Sequence, residues 1–209
     1  MNPELISQLV IALPVLLFSI VVHEVAHGVA ALRLGDDTAY LQGRLTLNPL
    51  PHIDPVFSLV VPAMCILSGA PVFGGARPVP VDVRRLRHPK RDMALIAAAG
   101  PLSNILLVAL ASLVWHGLAG MDMLGRETVE ILRYFVMINV VLAAFNMLPL
   151  PPLDGSRIFV LFLSGEAEWR YRSLERWGIF LVFGVIIFFG GALGSYLSWF
   201  YNLVTGVFF

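Results

Sequence analysis

The sequence predicts an all-α polytopic membrane protein, and three observations predict it. The chain of 209 residues is 58% hydrophobic and only 13% charged, whereas a soluble domain carries about 25% charged residues. Its mean hydropathy is +0.82, and apolar runs at 5–22, 95–114 and 179–193 approach the roughly 20 residues that cross a bilayer. Lysine and arginine are confined to the stretches between those runs. A formal net charge of zero says nothing about partners, and a lone cysteine, Cys65, permits no internal disulfide.

In chain order, four spans are predicted: residues 5–33, 93–119, 129–149 and 178–206. The first is not a cleavable signal peptide, because Glu4 is its only early charge and its apolar character runs on past residue 22. Residues 56–70 are apolar but short, hold Pro62 and are bounded by Pro55 and Pro71, which suits a re-entrant segment better than a crossing. Two flanking stretches have strand character: YLQGRLTLN at 40–48 alternates apolar with polar residues. VFGGARPVPVDV at 72–83 is β-branched but broken by prolines, so it fits an edge strand or loop. No linker separates a second unit, so residues 1–209 read as one domain.

Basic residues orient these spans. Eight lie from the end of span one to the start of span two, Arg33 to Arg91, and Arg157, Arg170, Arg172 and Arg176 lie between spans three and four; only Arg126 and Arg133 lie between span two and the first turns of span three. If 56–70 does not cross, both basic loops share the cytoplasmic face and both termini lie outside. If it crosses, the Arg84–Arg91 cluster is forced outside, against the rule.

The end of span one carries HEVAH, residues 23–27. His23 and His27, spaced i and i+4, share one helix face and can grip one metal ion. Glu24 points about 100° away, where a carboxylate can take a proton from attacking water and pass it to a leaving amine. Five characters with two wildcards recur by chance, and such residues can also serve as polar glue between helices. Ionisable groups inside a membrane span, however, are rare and mark function. A catalytic zinc site takes three protein ligands, so one is missing. Span three ends in FNMLPLPPLDGSR. Pro149, Pro151 and Pro152 stop the helix and stiffen the chain, Gly155 permits a sharp turn, and Asp154 is thereby set at the cytoplasmic end of the run. Its depth matches the histidines only if spans one and three run the same way, as the charge pattern independently requires. The alternative is an ordinary capping or turn aspartate.

HEVAH on an early span with N-x-x-P-x-P-P-L-D-G on a later one resembles the site-2 protease family of intramembrane zinc metalloproteases, in a minimal form without PDZ or CBS domain. GRLTLNPLPHIDP, GARPVPVDVRRLRHPKRDM and GPLSN match further, so the likeness spans about residues 18–165. It implies that His23, His27 and Asp154 bind Zn2+, that Glu24 is the catalytic carboxylate, and that transmembrane segments of other proteins, already trimmed by another protease, are cut in a cell membrane with the site toward the cytoplasm. GGARPVPV carries a small residue where many relatives have an aromatic. Other divalent ions also suit a set of two imidazoles and one carboxylate.

A helical substrate hides its amides and must unwind before attack. The resemblance implies that the segments near 40–48 and 72–83 offer a strand edge to hold it. Asn146 is either a substrate contact, as the family implies, or an interhelical hydrogen bond; Asn104 either faces the cleft or only a neighbouring helix, and Gly100 serves packing. His52 reads as a loop-fixing residue, and His88 and His116 as interfacial. Two other functions compete: a membrane metal-binding or transport protein, and an inactive relative acting as a scaffold. Transport wants ionisable residues spread along several spans, and spans two and four have almost none.

Overall fold

In a computed structural model the structure describes residues 3–54, 60, 64 and 75–209. Three long helices form the frame: α1 (Pro3–Arg33), then, after the one-turn α2 (Thr38–Leu41), α3 (Pro89–Gly120) and α4 (Arg126–Asn146). A short α5 (Asp154–Phe159) follows the proline segment, α6 (Gly165–Ser173) lies beyond it, and α7 (Gly178–Phe188) and α8 (Gly190–Phe208) close the chain. Each long helix is apolar enough to cross a membrane. Many large apolar side chains are exposed, among them Val10, Leu13, Leu17, Leu102, Leu106 and Leu113; in water such a surface would aggregate, and in lipid it is at home. The protein is an integral membrane protein; among the described residues three helices are long and apolar enough to cross, or four spans if the bent stretch ending in α7 and α8 makes one.

The fourth predicted span is therefore not the continuous helix expected over 178–206. It bends by 90° between Phe188 and Gly190. Phe189 leaves helical geometry at φ −122°, ψ 22°, directly before the Gly190–Gly191 pair, and adjacent glycines are a recognised cause of sharp kinks.

The expected β region is not confirmed. Among the described residues no strand forms. Tyr40 and Leu41 complete α2, and the chain then turns through Gly43 at φ 65°. From Gly75 to Asp82 the backbone is irregular, and sequence explains why: Pro78 and Pro80 bring no N–H. The amides of Arg77, Val79 and Asp82 are bonded to His52 O (2.8 Å), Glu24 Oε2 (2.8 Å) and Asp36 Oδ2 (2.7 Å). Among the described residues these bonds take up amides that an added strand would use. Asp82 in turn accepts from the Arg84 amide, which holds its carboxyl below the usual range. The expected re-entrant segment, with Cys65 on it, lies outside the described residues apart from Val60 and Met64.

Two apolar clusters hold the frame. Val108, Ala111, Val136, Val140 and Val204 join α3, α4 and α8, flanked by Phe135, Phe200 and Phe208. Ala31, Leu86 and Ile96, with Leu34, Val81 and Met93, close the other end, where α1 and α3 meet the connecting segment. At that same end Lys90 Nζ pairs with Glu168 Oε2 at 2.8 Å and also bonds Leu163 O, so the two basic loops meet on one face, as the charge pattern requires.

Candidate metal centre

His23 and His27 stand on the last turns of α1, and both are buried, at 6% and 9% exposure. Asp154, the first residue of α5, is brought to them by the proline-stiffened segment after α4. Its Oδ2 lies 3.1 Å from His23 Nε2 and 3.3 Å from His27 Nε2, and the two Nε2 atoms are 3.0 Å apart. Among the described residues these three form the one group of His, Cys, Asp or Glu close enough to hold a metal ion. Since α1 and α4 both end at this point, they run in the same direction.

The protonation of both rings follows from their neighbours. His27 Nδ1 lies 2.7 Å from Ile96 O, a backbone carbonyl that can only accept, so Nδ1 carries the proton. His23 Nδ1 lies 2.6 Å from Asn104 Oδ1, and that amide's orientation is fixed at one remove. Asn139 Nδ2 donates to Phe135 O at 2.8 Å, which leaves Asn139 Oδ1 to accept from Asn104 Nδ2 at 2.9 Å; Asn104 must then turn its oxygen to His23. Ser19 completes the network, its Oγ accepting from Asn139 Nδ2 at 2.9 Å. Asn104, Asn139 and Ser19 are each 0% exposed.

Neutral rings with the proton on Nδ1 present both Nε2 lone pairs to each other and to a carboxylate oxygen. Asp154 Oδ2 is buried without a hydrogen-bond partner among the described residues, a rarity that calls for an explanation. Three acceptors facing one another repel unless a cation lies between them. Atoms about 2.0–2.1 Å from a tetrahedral zinc lie about 3.3 Å apart, close to the three separations seen here. The donor set, the spacing and the orphaned oxygen all fit a resident zinc.

Space for the rings comes from α3. A Cβ on Gly100 would sit 2.5 Å from His27 Nε2 and 2.6 Å from His23 Cε1, so this glycine admits the imidazoles rather than a neighbouring backbone. Glu24 is half-buried beside them, its Oε2 held by the Val79 amide. Asn104 lies beneath His23 and is fully enclosed; it does not face a cleft. Asn146 is half-buried at the end of α4 and donates to Leu142 O at 3.0 Å. His52 is 1% exposed, with Nε2 on Thr46 O at 3.0 Å, and fixes its loop away from the cluster. Asn139 and Ser19 were not foreseen, since a lone amide or hydroxyl in an apolar span reads as ordinary interhelical bonding.

The chain is similar to known zinc metalloproteases. Residues 121–190, which include Asp154, match the model of "Peptidase family M50". The chain is 39% identical over 189 residues to "Putative zinc metalloprotease YwhC" of Bacillus subtilis, an alignment covering 88% of this chain and 82% of that protein. It is 29% identical to "Putative zinc metalloprotease Rip2" of Mycolicibacterium smegmatis, over 90% of this chain and 69% of the relative. The Rip2 protein of Mycobacterium tuberculosis is also 29% identical, over 92% and 70%. No solved structure matches. The chain belongs to peptidase family M50, the zinc-dependent site-2 protease family.

Proposed function

We propose that this protein is a zinc-dependent endopeptidase that cuts transmembrane segments of other membrane proteins, with its site open toward the cytoplasm. The observation that carries the reading is the meeting of His23 Nε2, His27 Nε2 and Asp154 Oδ2 within 4.8 Å of one another, one residue from a half-buried glutamate at the end of a membrane helix. His23, His27 and Asp154 hold the zinc. When bound, the metal supplies Lewis acidity, polarising the scissile carbonyl and acidifying water. Glu24 accepts the proton of the attacking water and delivers it to the leaving amine. Asn104 and the Ile96 carbonyl keep each imidazole in the tautomer whose Nε2 faces the metal. Asn146 contacts substrate through its carbonyl oxygen, its amide nitrogen being held on Leu142 O.

Hydrolysis needs water, which lipid does not supply. The cluster lies where α1 ends and the polar connecting segment begins, and the basic loops meet at that end. A site at this depth is wetted from the cytoplasmic side, while a substrate helix arrives laterally through lipid. Wild type and Glu24→Gln, purified in detergent, are to be assayed for zinc and for cleavage of a panel of single-span proteins. We expect equal zinc in both and cleavage by the wild type alone; turnover by the variant would remove Glu24 from the role of base.

A further inference from the structure

The Arg77–Val79 backbone runs against Glu24, and a buried cation is one of the groups that hold it. Arg44, in the loop after α2, is 5% exposed. Its Nη2 donates to Arg77 O at 2.7 Å and reaches Pro78 O at 3.4 Å. One residue later the Val79 amide donates to Glu24 Oε2 at 2.8 Å. The far side of the same backbone is fixed by the Arg77 amide on His52 O. The crossing is close: a Cβ on Gly28, one turn beyond Glu24, would lie 2.3 Å from Leu45 Cδ2 and 3.1 Å from Val79 Cγ1. Gly28 thus lets the residue after Arg44 and the residue on Glu24 press against the same face of α1.

We propose that Arg44 is a positioning residue for the Glu24 carboxylate, acting through the Arg77–Val79 backbone whose amide holds Oε2. This rests on the reading of Glu24 as the proton carrier. The chemistry is economical: an amide can only donate, so it ties down one carboxylate oxygen and leaves the other to meet water. Pro78 and Pro80 limit the freedom of the crossing segment, and burial of the guanidinium makes release of the two carbonyls unfavourable. Arg44 works here through its terminal nitrogen, and its Nε has no partner among the described residues. A lysine ammonium, a point donor, can therefore replace part of its action.

The test uses the full-length protein with a cleavable single-span substrate, measuring kcat, KM and bound zinc for Arg44→Ala, Arg44→Lys, Val79→Pro and the Arg44→Ala/Val79→Pro double variant. Misplacing a catalytic group by about 1 Å can lower a rate by about 100-fold. We expect Arg44→Ala and Val79→Pro each to lower kcat on the order of 10- to 100-fold with KM and zinc unchanged. Arg44→Lys should recover much of the loss, and the double variant should be no slower than the worse single, since both act through the one hydrogen bond from the Val79 amide to Glu24. Unchanged kcat in Arg44→Ala, multiplying losses in the double variant, or loss of zinc would each overturn the proposal. Glu24→Gln and a chelator are run alongside. If cleavage survives both, the protease reading itself fails; if both abolish it while Arg44→Ala is fully active, only the role of Arg44 fails.

Discussion

At His23 the decisive hydrogen bond comes from another helix. Asn104 on α3 accepts the Nδ1 proton, and its own orientation is dictated by Asn139 on α4 and, behind that, by the Phe135 carbonyl. The tautomer of a proposed ligand is thus fixed by a backbone oxygen three hydrogen bonds away. Partners of this kind typically contribute 10- to 100-fold to metal affinity. Asn104→Ala should weaken zinc binding by about that factor in competition with a chromophoric chelator; unaltered affinity would mean that His23 needs no such support. The two histidines and Asp154 were legible in the sequence, because their residue types and an i, i+4 spacing are rare in apolar helices. Asn104 was legible as a polar residue in a span, but not its partner, since spacing within one helix says nothing about which side chain of another helix it meets.

At the scale of elements, α1 and α3 approach closely where Gly100 faces both imidazoles. Gly100→Ala puts a methyl group where the rings stand. The rings cannot yield without leaving Asn104 and Ile96, so zinc content measured by atomic absorption should fall well below that of the wild type; full retention would show that the helices can separate. The long helices were legible from hydropathy alone, whereas the break at Phe189 was not. Gly190 and Gly191 stand in plain view, but glycine is common in membrane helices, and only packing decides which pair bends. At 72–83, where an edge strand or loop was expected, the described residues 75–82 run as irregular backbone: the prolines bring no N–H, and Glu24, His52 and Asp36 take amides that a ladder would use.

Over the whole molecule, the charge pattern and the site demand the same topology. Among the described residues α3 is the one membrane-length helix between α1 and α4, and a single crossing there puts both basic loops on one face. Lys90 and Glu168 join those loops directly. In a Cys65→Ser background, single cysteines at the exposed positions Arg87 and Arg172 should react with a membrane-impermeant thiol reagent only from the cytoplasmic side, and one at Asp122 only from the outside. Labelling of Arg87 and Arg172 positions from opposite sides would break the topology.

The claim on which all this depends is that three named atoms share one ion. X-ray absorption at the zinc edge reads that directly, on purified wild type and on Asp154→Ala. We predict a first shell of nitrogen and oxygen at about 2.0–2.2 Å with two imidazoles and no sulfur, losing occupancy or gaining a changed first shell in the variant. A spectrum that is identical with and without the Asp154 carboxylate would contradict it.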